Sequence, residues 1–311
     1  MANLGYVQVT RECNQCCLFC SNPPISRRQT FENIRKQIDD LVERGYEGVI
    51  LTGGEPTLCD FLPQAILYSH RRGLPARIIS NGQLLSDEAY LGELFDAGLR
   101  HVHISVHSCR KETQGYLTGK EDSLSNIESA LENICKLKMK ADINTVICRP
   151  NADHLHKTVE WAIDSFPAVT HFVFNNIDPR MNRCEENPHM IPSFAEMELS
   201  LHRALKILTK NDLSFRVERV PLCYMVEFAA FSTETRKIVK GEERVVHFLD
   251  NIKGTVRQTR WVHGKSEVCK VCRLNPICAG LYSMNTYFDS SELYPVFLPP
   301  GPIKESILAQ H

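Results

Sequence analysis

Short apolar runs alternate with longer segments of helical period through the first two thirds of the chain. Gly5 to Thr10 (GYVQVT) reads as a strand, and Thr30 to Arg44 places Ile34, Ile38, Leu41 and Val42 on one helical face. The alternation repeats with a strand at Glu47 to Thr52, a helix from about Phe61 to Arg72, a strand at Ala76 to Ile79 and a helix at Asp87 to Ala97. It continues through a strand at His101 to Val106, a helix at Leu124 to Lys138, a strand at Ala141 to Cys148 and a helix at His154 to Phe166. Val169 to Asn175 and Phe194 to Leu208 make the sixth pair. Six βα units in succession predict an α/β fold with a parallel sheet and helices outside it. Periodicity leaves two forms open, a doubly wound sheet and a curved partial barrel.

The polar positions narrow the choice. A cysteine-rich loop follows the first strand, Gly53-Gly54-Glu55-Pro56 the second and Ser80-Asn81-Gly82 the third. Ser105 and His107 lie at the end of the fourth, Asn144 and Thr145 in the fifth, and Asn175 and Asn176 at the end of the sixth. In α/β barrels chemistry collects at the carboxyl ends of the strands, so a barrel would turn all six clusters onto one cavity. After about residue 212 the rhythm stops, which divides the chain into residues 1–212 and a smaller domain at 213–311.

Cysteine spacing supplies the chemistry. Cys13-x3-Cys17-x2-Cys20 puts three thiols on one short loop, with Cys16 as an extra thiol beside Cys17. Three thiolates on a cubane of four irons leave one iron open to bind a substrate. A zinc knuckle or plain buried thiols would use the same residues. Cys269, Cys272 and Cys278 form a second group, and Cys223 upstream brings it to four thiolates, enough to close a second cluster or a tetrathiolate zinc site. Thirteen cysteines argue for ligation in a reducing compartment, where structural disulfides are rare. Cys59, Cys109, Cys135, Cys148 and Cys184 have no paired spacing and read as small hydrophobes. Charges nearly cancel, 36 Lys and Arg against 37 Asp and Glu, so no global field recruits nucleic acid or an anionic membrane. With neither a membrane-spanning run nor a signal peptide, the expected location is the cytoplasm.

The first cysteine loop, with Phe19 just before its third cysteine, resembles that of radical S-adenosylmethionine (SAM) enzymes, and Gly53-Gly54-Glu55 stands where that family carries its glycine-glycine-glutamate motif. The resemblance implies a partial (β/α)6 TIM-like barrel, a 4Fe-4S cluster on Cys13, Cys17 and Cys20, and SAM held near Gly53, Gly54 and Glu55. Two residues without side chains would let backbone approach the methionine moiety, and the carboxylate would receive its ammonium. Ser80, Ser105 and Asn144 fall where members often contact SAM, although hydroxyls and amides there also cap strands and helices. The C-terminal cysteines resemble twitch and SPASM extensions. That implies an auxiliary 4Fe-4S cluster on Cys223, Cys269, Cys272 and Cys278, and Tyr282 in place of a further SPASM cysteine favours a single, twitch-like one.

The implied reaction is reductive cleavage of SAM to a 5'-deoxyadenosyl radical, which takes hydrogen from a substrate carbon. An electron donor such as flavodoxin or ferredoxin would feed the cluster, and a closed auxiliary cluster would accept an electron from the substrate radical. The substrate class stays open between peptides and small metabolites. No peptide-recognition domain is expected ahead of a barrel that starts within ten residues, and Leu-Ala-Gln-His at the end differs from the glycine-rich tail of the GTP cyclases of molybdopterin synthesis. His107 reads as a core histidine or an acid/base group; Asn175, Asn176, Asp178 and Arg180 gather where a substrate would sit. The competing class is a non-catalytic iron-sulfur or zinc protein, an electron carrier or scaffold, which would have no use for Gly53-Gly54-Glu55.

Overall fold

The computed structural model describes residues 3–22, 25, 28–180, 182–249 and 254–310. Seven segments form parallel strands in chain order: β1 (Leu4–Thr10), β2 (Gly48–Gly53), β3 (Ala76–Ser80), β4 (His101–Ser105), β5 (Lys140–Ile147), β6 (Val169–Asn176) and β7 (Ser214–Glu218). Two more, β8 (Arg244–His247) and β9 (Thr255–Gln258), add to the edge of β1, the first parallel to it and the second antiparallel to β8. The order across the sheet is β7-β6-β5-β4-β3-β2-β1-β8-β9. A doubly wound sheet reverses direction at a switch point. This one does not reverse from β1 to β7, so right-handed crossovers lay their helices on one face and the strands wrap around the other. The sheet is not closed into a full barrel, and it settles the two forms left open by periodicity in favour of a partial one.

Strand alternation sorts the side chains. Val49, Leu51, Ile78, Val102, Ile104, Phe172 and Phe174 point towards the helices and are buried almost completely. The helices start where the sequence supplies caps: Thr30 accepts from the Asn33 N–H, Asp87 from Ala89 and Tyr90, and Ser193 with Glu196 forms a capping box.

Two differences from the periodicity matter. The rhythm does not stop at residue 212, because Ser214–Glu218 forms a seventh strand. Its Phe215 and Val217 are buried against the helices, but Arg216 and Glu218 face inward, a pattern that reads as a solvated charged stretch. Residues beyond 212 therefore supply strands to both edges of the sheet as well as the cysteine-rich tail. A helix at Lys111–Thr118, missed by period because its buried face is short and polar (Gln114, Gly115, Leu117, Thr118), backs the cysteine loop. No helix among the described residues is long and apolar enough to cross a membrane.

Candidate functional site

The loop after β1 is pinned through its backbone. Cys16 N–H donates to Thr118 O at 2.9 Å and Leu18 N–H to Leu117 O at 3.0 Å, which docks the loop on the end of the helix Lys111–Thr118. Cys16 packs against Gly119, where a Cβ would meet the Cys16 Cβ at 3.3 Å. Cys13, Cys17 and Cys20 instead are electrostatic neighbours of one another. The structure thus groups those three and sets Cys16 apart. Burial holds the Cys13 and Cys17 thiols above their ordinary value, the adjacent sulfurs add to this, and Arg183 opposes it. Among the described residues the one trio of candidate ligand atoms within 4.8 Å of each other is His101, His103 and Asp142.

Gly53-Gly54-Glu55 is built into the protein more tightly than the sequence suggests. Gly53 has φ +142°, and a Cβ there would meet Thr10 O at 2.0 Å; on Gly54 it would meet Glu12 O at 2.2 Å. Glycine is thus required first for the end of β2 to lie against the start of the cysteine loop, where Gly54 N–H donates to Thr10 O and Glu55 N–H to Glu12 O. The Glu55 carboxylate, 1% exposed, is fully engaged. Oε1 accepts from Thr57 N–H (3.1 Å), Thr57 Oγ1 (2.7 Å) and Ser80 Oγ (2.8 Å), and Oε2 accepts from Asn81 N–H (2.7 Å). These four bonds tie β2 to β3, with Ser80 as one of the donors. The side chain that does reach the cysteines is Asn81, which donates to Asn14 Oδ1 at 2.7 Å and lies 3.9 Å from Cys13 Sγ.

Ser105 and Asn144 are paired across β4 and β5, and Asn175 donates to Asn144 Oδ1 at 2.6 Å, so these polar groups stand side by side on the concave face. His107 is buried, packs edge-on against Phe19 with ring centroids 4.6 Å apart, and accepts from Val146 N–H through Nδ1. Burial lowers its pKa to about 3, so it is a neutral, satisfied core histidine. Asp178 and Arg180 bind the C-terminal segment: Tyr282 Oη donates to Asp178 at 3.2 Å and Arg180 donates to Ser283 Oγ at 2.8 Å. Spacing gave no sign of Arg183, or of the buried Cys148 and Cys184 that lie near Cys17 and Cys20.

The second cysteine group surrounds a small cavity lined by Cys223, Cys269, Cys272 and Cys278. Gly280 N–H donates to Cys278 Sγ and Val296 N–H to Cys272 Sγ, both at 3.3 Å, the backbone-to-sulfur bonds that tune a thiolate-bound centre. Burial and the neighbouring Cys278 and Cys269 push the Cys223 thiol up to about 12, which places Cys223 among the other three.

The Radical SAM superfamily profile matches residues 7–162, half of the chain. This chain belongs to the radical SAM superfamily. Membership implies a 4Fe-4S cluster and SAM, and the matched residues include the first cysteine loop and Gly53-Gly54-Glu55. Among curated relatives, the GTP 3',8-cyclase of Aliarcobacter butzleri (strain RM4018) is 32% identical over 148 residues, 45% of this chain and 45% of that protein. The PqqA peptide cyclase of Xanthomonas campestris pv. campestris (strain B100) is 26% identical over 162 residues, 51% of this chain and 43% of that one. The radical SAM chain thus spans less than half the length of these relatives. Over nearly its whole length, 98% of this chain and 96% of the other, the fold matches native anSMEcpe with bound AdoMet at a TM-score of 0.64 and 16% identity.

Proposed function

We propose that this chain is a radical SAM enzyme that reductively cleaves SAM and oxidises, or forms a bond on, a peptide or small metabolite. The observation that carries the reading is the grouping of Cys13, Cys17 and Cys20 on one loop held beside the glycine-rich end of β2. Cys13, Cys17 and Cys20 would hold a four-iron cluster that, once reduced by an electron donor, would supply the electron for splitting SAM, the resulting 5'-deoxyadenosyl radical taking hydrogen from the substrate. The chain's own part is positional. Glu55 and Ser80 lock β2 to β3, Gly53 and Gly54 present bare backbone, and Ser105 and Asn144 offer polar groups to the sugar or carboxylate of SAM. Residues 213–311 carry a second, closed cluster on Cys223, Cys269, Cys272 and Cys278, an acceptor for the substrate's electron. The peptide cyclase among the relatives favours a peptide; the GTP 3',8-cyclase favours a small metabolite. Thirteen free cysteines suit the cytoplasm, with a flavodoxin or ferredoxin as electron donor.

Anaerobic reconstitution with iron and sulfide, followed by dithionite and SAM, is expected to yield 5'-deoxyadenosine, and Cys17→Ala to yield none. A carrier or scaffold would give none from either protein.

A further inference from the structure

Below the candidate SAM site the inward faces of the strands enclose a cavity of about 460 Å³, which reaches from Arg77 at its base to Asn144 and Asn175. Its wall is more charged than a barrel core needs. Part of that charge is matched: Arg244 is 2.8 Å from Glu218 and Lys237 is 2.7 Å from Glu242, while Asp142 is held by hydrogen bonds from His101 at 2.7 Å and His103 at 3.1 Å. Three guanidinium groups of the lining, Arg77, Arg216 and Arg236, have no ion pair among the described residues. Arg236 donates to Gln310 Oε1 instead. Arg216 is 8% exposed and donates to the carbonyl of Phe215, its own neighbour in the chain. A cation so buried is costly unless something anionic meets it.

We propose that this cavity, lined by Arg77, Arg216 and Arg236, holds a carboxylate or phosphate group of the substrate, so that the enzyme acts on a small anionic metabolite. The inference rests on the radical SAM reading above for what happens at the other end of the molecule. Arg216 is paired in register with Val173, which is paired with Asn144, so an anion on Arg216 sets the rest of its molecule beside Asn144 and Asn175. Two further features agree. Burial, with Arg236 beside it, lowers the Arg216 pKa to about 9, and Glu242 opposes this only in part. His103 and His171 are held neutral by burial, with pKa values of about 4, and add no competing charge; His103 Nε2, buried without a partner, is an acceptor for a substrate hydroxyl. His101, His103 and Asp142 also have the ligand atoms of a divalent-cation site. Three guanidinium groups without an ion pair outnumber the one carboxylate, Asp142, that only histidines meet, which favours an anion over a cation.

The test is equilibrium binding of inorganic phosphate, and separately of succinate, to the reconstituted full-length protein at fixed ionic strength. Saturable uptake of one of them is expected, and which one separates a phosphate from a carboxylate receptor. Arg216→Met and Arg77→Met should each weaken binding about tenfold or more, whereas Arg216→Lys should retain part of it. Thermal melts serve as the control: phosphate or succinate should raise the melting temperature of the wild type but not of Arg216→Met, whose own melting temperature should not fall, since it removes an unmatched charge. No saturable binding of either anion, or binding unaffected by both methionine variants, overturns the proposal. Zinc binding that is lost in His103→Ala, without anion uptake, overturns it in favour of a metal site. Anion binding needs neither SAM nor electrons, so its failure is separable from a failure of the wild-type protein to form 5'-deoxyadenosine.

Discussion

Glu55 shows how a residue recognised by its motif can have a different first task. Its two oxygens take four protein hydrogen bonds in a fully buried setting. Glu55→Gln keeps the three bonds on Oε1 but turns an amide against the Asn81 N–H, and leaving that donor unpaired should cost about 1–3 kcal/mol in urea unfolding. Unchanged stability with weaker SAM binding would show that the carboxylate serves the cofactor instead. The buried histidines carry a pH dependence. His103 and His171 have folded pKa values of about 4 and His107 of about 3, all below the ordinary 6.5. Between those values and 6.5 the unfolded chain binds more protons than the native one, so stability is full above about pH 6.5 and falls as acid is added. Melting temperatures followed from pH 7 to pH 4.5 should decline, and less steeply in His107→Phe. A flat profile, or identical slopes, would contradict neutral burial of His107.

At the scale of elements, the six βα units were legible because their strands are apolar on the helix side and their helices strongly amphipathic. β7 and β8 were not, because Arg216, Glu218 and Arg244 point into the barrel, and an inward charge has the same sequence pattern as an outward one. The cysteine loop was legible from spacing alone. Glu55, Ser80 and Asn81 were recognisable as a motif but not in their bonds, which depend on how β2 and β3 come together in space. Nor did spacing separate Cys16 from Cys17 in physical terms; that follows from the bond between the Cys16 N–H and Thr118, on a helix that periodicity missed. One consequence concerns β2. Gly54→Ala forces a Cβ against the Glu12 carbonyl and should dislodge the first cysteine loop without touching the second group. Iron content should then fall from about eight to about four per chain, with the remainder lost only when Cys269 is also replaced. Full iron in Gly54→Ala would mean that the loop does not depend on that contact.

At the scale of the whole molecule, two cysteine groups are joined to a single sheet. The first stands at the carboxyl end of β1, and the second is carried by a tail tied back through Tyr282 to Asp178 on the loop after β6. The interior of the partial barrel carries the guanidinium groups without ion pairs and the asparagines Asn144 and Asn175. Such an arrangement suits a substrate anchored at one end and attacked at the other. The proposed chemistry requires SAM to bind at an iron held by Cys13, Cys17 and Cys20. The most direct measurement is the electron paramagnetic resonance spectrum of the reduced, reconstituted protein as SAM is added. The account predicts that the signal changes with SAM in the wild type and in Cys272→Ala, but not in Cys17→Ala. A wild-type spectrum indifferent to SAM would contradict it.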